Sequence, residues 1–238
     1  MEKLIKDARD IVGLTLTNSQ VSALQVLEQE LIDWNSRFNL TAIRDVEGIR
    51  TKHFLDSLTI HLALNSQAMP TSIIDVGTGA GFPGLPLKIL LPRIKLTLVE
   101  SVHKKAHFCE HMVERLGLKD VLVLAERAED VGRMVNQRQA YDLAVARAVA
   151  PMAVLVEYLL PLVKLGGVVV MQKGESAHAE AQAAARAIEI LGGRLKQIIP
   201  VLLPGVVEER FLVVLDKVAM TTQEYPRKAG TPSKHPLG

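Results

Sequence analysis

Ile73-Ile74-Asp75-Val76-Gly77-Thr78-Gly79-Ala80-Gly81-Phe82-Pro83-Gly84 is a short apolar run that breaks into four glycines at alternate or near-alternate positions. The run reads as a buried strand. The glycines let the backbone turn at positive φ and press against a ligand with no Cβ in the way. An apolar helical pattern resumes from Leu85 to Leu91. Pro83 and Pro86 fall in its first turn, where a missing N–H costs nothing, and Pro92 closes it. Strand, glycine turn and helix, in that order, make a nucleotide-cofactor loop.

The order alone leaves the cofactor open, because Gly79 to Gly84 also satisfies the GxGxxG dinucleotide fingerprint. Three features favour S-adenosylmethionine. Asp75 ends the strand just before the glycines, where it can hold a cationic amino group or the water around it. Glu100 ends the next apolar run, Leu96-Thr97-Leu98-Val99, where a carboxylate can accept both ribose hydroxyls of any adenosine ligand. The chain then ends in paired strands without a second glycine loop, which suits a methyltransferase better than a two-domain dehydrogenase.

The 238 residues, 48% of them hydrophobic, suffice for one sizeable α/β core with a small extension. A net charge of +2 is too small to mark a nucleic-acid binder by itself, so such a reading rests on where the basic residues fall. The single cysteine, Cys109, has no partner for an internal disulfide and reads as a buried apolar filler. With no apolar run of membrane-spanning length and no signal-peptide core after Met1–Lys6, a cytoplasmic protein is expected.

Residues 1–70 read as a helical extension. Thr17-Asn18-Ser19-Gln20 is a capping box ahead of Val21, Leu24, Leu27, Leu31 and Trp34 at helical spacing, and Asp45 can cap a further helix burying Ile49, Phe54, Leu58 and Leu62. Residues 66–72, with Pro70, form the linker. Strands are expected at Ser72–Val76, Lys95–Val99, Val121–Leu124, Leu143–Ala146 and Val168–Met171, with helices between them as a parallel sheet requires. After a helix over 176–191, the runs Ile198–Leu203 and Arg210–Leu215 flank Pro204-Gly205 with no room for a helix, so they should pair antiparallel. A mostly parallel seven-stranded sheet closed by an antiparallel C-terminal pair is similar to the Rossmann-like α/β plan of class I methyltransferases. The tail from Tyr225 to Pro236 is basic, rich in proline and without apolar periodicity, hence loop or extended chain.

Further segments carry a resemblance to a known family: Trp34-Asn35-Ser36-Arg37-Phe38-Asn39-Leu40-Thr41, His53-Phe54-Leu55-Asp56-Ser57-Leu58, the Asp75–Gly84 loop, Val145-Ala146-Arg147-Ala148-Val149-Ala150-Pro151 and the Tyr225–Pro236 tail. Together they resemble the small-subunit ribosomal RNA methyltransferase G family, also called glucose-inhibited division protein B, over nearly the whole chain. The resemblance implies methyl transfer from S-adenosylmethionine to N7 of a guanine in small-subunit ribosomal RNA, free or within the subunit, by a monomer without a metal. It divides the chain into an extension (1–70), a methyltransferase domain (71–220) and a basic tail (221–238). It places the cofactor on Gly77, Phe82, Ala128, Glu129 and Arg147, to which the residues themselves add Asp75, Gly79 and Glu100.

Arg147 ends the fourth strand on the cofactor side of the sheet and is assigned to positioning the base, with a structural ion pair as the bland alternative. Asp142, on the same strand, reads as a fold residue. His53 and Asp56 share a helical face and can reach the pocket or merely pair within the extension. His103, His107 and His111 also share a face, but Lys104 and Lys105 would oppose a metal there. Trp34 reads as a core anchor. Arg227, Lys228 and Lys234 are the candidate phosphate contacts, with Lys104 and Lys105 on the same candidate rim, while Lys88 and Arg93 read as a solvated helix face. The alternatives are a class I methyltransferase acting on a small molecule or a protein, an NAD-type oxidoreductase and a non-catalytic RNA-binding module.

Overall fold

A strand that is apolar at nearly every position has to be covered on both faces, because its side chains alternate. Strands β1 (Ser72–Val76) and β2 (Lys95–Val99) are of this kind, and both are buried along nearly their whole length. They lie within a seven-stranded sheet completed by β3 (Val121–Leu124), β4 (Tyr141–Arg147), β5 (Val163–Lys173), β6 (Gly193–Val201) and β7 (Arg210–Lys217), in the order β3-β2-β1-β4-β5-β7-β6. The structure, a computed structural model, describes residues 1–64 and 69–237; residues 66–68 of the expected linker lie outside them.

The first three strands have the boundaries expected from sequence. The C-terminal pair is antiparallel, but β7 inserts between β5 and β6 and is antiparallel to both, leaving β6 at the edge. Helices α9 (Ala177–Ala183) and α10 (Ala185–Ile190) carry the chain past this slot, and the short connection after β6 returns it there. β6 also starts earlier than expected and includes exposed Arg194 and Lys196. An edge strand wetted on one side does not announce itself as an apolar run. The single helix expected over 176–191 is divided at Ala184.

One face of the sheet, including Ile73, Leu96, Leu98, Val145 and Val170, packs against the N-terminal helices, α5 (Gly84–Leu90) and α6 (His103–Arg115). Those N-terminal helices are α1 (Glu2–Val12), α2 (Asn18–Phe38), α3 (Val46–Gly48), a π-helical turn over Ile49–Leu55 and α4 (Asp56–Leu58). The capping box forms: Thr17 Oγ1 accepts from the Gln20 N–H and Gln20 Oε1 from the Thr17 N–H. Gln20 Nε2 then donates to the Leu90 carbonyl at the end of α5, tying the extension to the helix that follows the glycine turn. The other face, including Ile74, Ala144, Val169 and Met171, packs against α7 (Ala128–Val131), α8 (Met152–Leu159), α9 and α10.

Two basic residues depart from expectation. Lys88 is not on a solvated face: it is 1% exposed, and its Nζ donates to the Pro92 and Ile94 carbonyls to close the end of α5. Burial lowers its pKa. The tail is docked along α7 and α8 and ends in a short helix, α11 (Thr231–Lys234). Arg227 is therefore no free phosphate ligand. Its Nε and Nη2 grip Glu157, a fully buried carboxylate on α8, at 2.7–3.2 Å, and Nη2 also donates to the His235 carbonyl. Asp142 is a fold residue, as expected: its carboxylate accepts from both N–H groups and both hydroxyls of Thr71 and Ser72 and pairs with Lys164, which hold its pKa well below the usual range.

Replacing Arg227 by Ala leaves the buried Glu157 charge with only the backbone N–H of residue 227 and should cost about 3–5 kcal/mol. Urea unfolding checks this, and a loss under 1 kcal/mol would mean that Glu157 finds water or another donor.

Candidate functional site

The glycine turn is held from below by two carboxylates. Asp75 is fully buried; its Oδ2 accepts from the Thr78 hydroxyl at 2.5 Å and the Gly84 N–H at 2.7 Å, and its Oδ1 has no partner. Burial raises its pKa to about 7 against the pull of those hydrogen bonds. Asp75 thus lies beneath the turn and shapes it. Glu100 accepts from the Gly79 N–H through Oε2 at 2.9 Å and from the Val102 N–H through Oε1 at 2.7 Å. Cys109, buried on α6, places its Sγ 3.5 Å from the Gly79 carbonyl, and burial pushes its thiol pKa well up.

The glycines divide the work. A Cβ on Gly77 would collide with Val149, one on Gly81 with Leu85, and one on Gly84 with Leu98 and Asp75. Gly79, at φ +60°, would meet nothing within 4 Å. Gly79 is the glycine that faces open space.

That space is a cavity of about 440 Å³ at the carboxyl ends of β1, β4 and β5, beside the point where the strand order reverses between β1 and β4. Arg147, at the end of β4, is fixed there by the N-terminal extension. Its Nη1 donates to the Lys52 carbonyl at 2.8 Å and to Asp56 Oδ2 at 3.0 Å, and its Nη2 meets His53 Nδ1 at 2.9 Å. The π-helical turn accounts for this convergence, since its wider spacing frees the Lys52 carbonyl from an ordinary helical partner. His53 lies flat on Phe82, with centroids 4.5 Å apart and planes at 7°, and the guanidinium stands 5.5 Å from the same ring.

An arginine only donates, so His53 Nδ1 is the acceptor and its Nε2–H donates to Thr41 Oγ1 at 2.9 Å. Burial, then the Arg147 charge, lowers the His53 pKa to about 3, so the ring is neutral at physiological pH. Burial raises the Asp56 pKa while Arg147 pulls it back. Both residues left undecided by sequence therefore line the cavity and orient Arg147.

Lys105, a candidate from sequence, and further residues that were not expected complete the walls. Lys173, ending β5, is paired with Glu180 at 2.6 Å; Gln172 donates to the Asp56 carbonyl; Lys52 stands 4.0 Å from Glu208. Lys105 and Arg210 line the cavity and make no ion pair among the described residues. Topology carried a usable signal for two of them. Lys173 ends a parallel strand and Arg210 begins the antiparallel one, so both must reach the rim that carries Arg147. Nothing in the sequence marks the π-helical turn.

The structure brings Gly77, Gly79, Phe82 and Arg147 together with His53 and Asp56 around this cavity. Asp75, Glu100, Ala128 and Glu129 do not line it. The Ala128 and Glu129 N–H groups, beyond the end of β3, have no partner within the described chain, whereas the Glu129 carboxylate is turned away and accepts from the Gly230 N–H at 2.8 Å. Lys228 and Lys234 are exposed on the docked tail. His107 and His111 pack against Trp34, which also meets Phe108 edge-on, and His111 bonds Glu30 at 2.7 Å.

Asp75 makes the site's stability pH-dependent. Its proton is held more tightly in the folded chain, so its contribution is full below pH 4 and is lost as pH rises toward 7, at up to about 1.4 kcal/mol per unit. Asp75→Asn removes this component, so the parental protein should lose stability relative to it between pH 4.5 and about pH 7.5. Parallel urea curves for the two proteins would show that Asp75 ionises normally.

A family model described as rRNA small subunit methyltransferase G matches residues 20–204. The chain is 50% identical over its whole length to a ribosomal RNA small subunit methyltransferase G of Roseiflexus sp. (strain RS-1), with all of both chains covered. It is 46% identical to the protein of the same name from Chloroflexus aggregans (strain MD-66 / DSM 9485), covering 99% of this chain and 98% of that one. Among solved structures, a mutant 16S rRNA (adenine(1408)-N(1))-methyltransferase from Catenulisporales acidiphilia shares the fold, with a TM-score of 0.52 at 14% identity over 64% of this chain and 87% of that one. Tail and glycine turn alike fall within the full-length matches, and the chain belongs to the rRNA small subunit methyltransferase G family.

Proposed function

We propose that the protein transfers a methyl group from S-adenosylmethionine to N7 of a guanine in small-subunit ribosomal RNA. The observation that carries this reading is the cavity where the strand order reverses. Its rim is a glycine turn with one glycine facing open space, and its walls bear cations without ion-pair partners among the described residues. Such a crevice suits an adenosine cofactor on one side and a polyanion on the other.

When bound, S-adenosylmethionine supplies an electrophilic methyl group on a sulfonium. Gly77, Gly79 and Phe82 would hold it at the turn. Each Glu100 oxygen already accepts one N–H and retains a lone pair for a ribose hydroxyl, and the free N–H groups of Ala128 and Glu129 are suited to the adenine edge. Asp75 acts from beneath by fixing the turn. Arg147 spends three of its five N–H donors on the extension and keeps Nε–H and one Nη2–H. Those two can orient guanine through O6 while leaving N7 free. The role is positioning, since a guanidinium opposes the positive charge that develops on the ring.

Lys105, Arg210 and the tail's Lys228 and Lys234 are the proposed phosphate contacts. The three divisions 1–70, 71–220 and 221–238 then correspond to extension, methyltransferase domain and docked tail, in a monomer acting in the cytoplasm.

Gly79→Val should abolish binding of S-adenosylhomocysteine while costing about 1–2 kcal/mol of stability, because a side chain there strains the backbone and fills only ligand space. Calorimetry showing parental affinity in the folded variant would overturn the assignment. Replacing Lys228 and Lys234 together by Ala should flatten the log–log salt dependence of RNA binding by up to about 2. A parental slope would move the phosphate path to Lys105 and Arg210.

A further inference from the structure

The docked tail grips one part of the protein more than any other: the stretch from Glu129 to Arg138 that follows β3. Arg138 points its guanidinium at the tail, with Nη1 donating to the Tyr225 carbonyl at 2.6 Å and Nη2 to the Thr221 and Thr222 carbonyls at 2.8 Å each. Arg133 Nε donates to the Pro226 carbonyl at 2.8 Å. Pro226 packs so closely on Gly132 that a Cβ there would come within 2.7 Å of its Cγ. The Gly230 N–H closes the set on Glu129 Oε1.

On its other side the tail is anchored to rigid elements. Arg227 holds Glu157 on α8, and Thr221 bonds both the Leu191 carbonyl and the buried Lys217 ammonium at the end of β7. The tail therefore bridges the two sides, joining a four-residue helix to the sheet and to α8. A helix of that length has too few internal hydrogen bonds to set its own position.

We propose that the tail is a strap that positions the cofactor's adenine side, and that Glu129 acts as a positioning residue. Its carboxylate, held by the Gly230 amide, sets where the Ala128 and Glu129 N–H groups stand relative to Glu100. The proposal rests on the reading that these N–H groups take the adenine. It gives the tail a role in cofactor affinity, independent of the exposed lysines it presents to RNA. It also explains why an acid in this position is almost fully buried and does not line the cavity: 4% of its surface is exposed, and burial followed by the charge of that carboxylate pushes the Tyr158 pKa up to about 12.

Three variants test the strap: Glu129→Ala removes the acceptor, Glu129→Gln keeps an amide oxygen for the Gly230 N–H, and Gly132→Ala pushes Pro226 away without altering any group assigned to the cofactor. Titration calorimetry with S-adenosylhomocysteine is run on each, with urea unfolding as the control for folding. Methylation kinetics then separate the cofactor KM from kcat and from the RNA KM. Glu129→Ala and Gly132→Ala should each weaken S-adenosylhomocysteine roughly ten-fold, with the cofactor KM rising more than kcat falls and the RNA KM unchanged. Glu129→Gln should recover most of the affinity. By reciprocity, S-adenosylhomocysteine should slow hydrogen exchange at the Gly230 amide of the parental protein.

If Glu129→Ala weakens binding but folded Gly132→Ala does not, Glu129 acts on the ligand directly and the strap is overturned. Parental affinity in both variants overturns it as well. Failure of the parental protein itself to bind S-adenosylhomocysteine would instead remove the cofactor reading on which the strap depends.

Discussion

A guanidinium at the end of a buried strand has to be paired, and the way Arg147 is paired governs the site. Its partners, the Lys52 carbonyl, the His53 ring and the Asp56 carboxylate, all come from one stretch of the N-terminal extension. The extension is thus the second wall of the cavity as well as a cover for one face of the sheet. Breaking a buried charge pair costs far more than an exposed one contributes. The same energetics that fix Arg147 therefore fix the π-helical turn, and the turn in turn sets His53 flat on Phe82 above the glycine loop.

The two faces of the sheet use the same device. On one, the extension reaches the end of β4 through Arg147 and the end of α5 through Gln20. On the other, the tail reaches α7 through Glu129 and α8 through Glu157. Each appendage crosses a large sequence separation to hold a short, weakly self-supporting piece of backbone at the carboxyl rim of the sheet. Parallel strands end at this rim in loops, and loops must be positioned from outside if they are to present a ligand with defined geometry.

Sequence made the first three strands of the sheet legible because β1 and β2 are buried on both faces and, like the part-exposed edge strand β3, read as continuous apolar runs; all three have the expected boundaries. The edge strand β6 was less legible because half its side chains face water. The basic residues were the least legible. Lys88 and Arg227 look the same in sequence as Lys228 and Lys234, yet two are locked onto carbonyls or a buried carboxylate and two are exposed. What separates them is a partner far away in sequence, and residue type carries no trace of it. Glu129 shows the same limit: the position following β3 was apparent, but the direction of its carboxylate depended on a tail a hundred residues away.

The polar groups around Arg147 are arranged to hold it rather than to move protons. His53 is neutral at physiological pH, with Nδ1 spent on Arg147 and Nε2–H on Thr41; Asp56 is spent on Arg147, and Glu180 on Lys173. Among the described residues that line the cavity, these three side chains are already engaged. Methylation of a hydroxyl or an amine would ask for a general base, because the nucleophile has to lose a proton. A ring nitrogen with an in-plane lone pair does not: it needs alignment, exclusion of water and charge that holds the rest of the nucleotide. The cavity offers those three things through Phe82, the tethered Arg147 and the unpaired Lys105 and Arg210. The commitment of His53, Asp56 and Glu180 to Arg147, Thr41 and Lys173 thus fits the proposed nucleophile, which asks those groups for alignment and not for proton transfer.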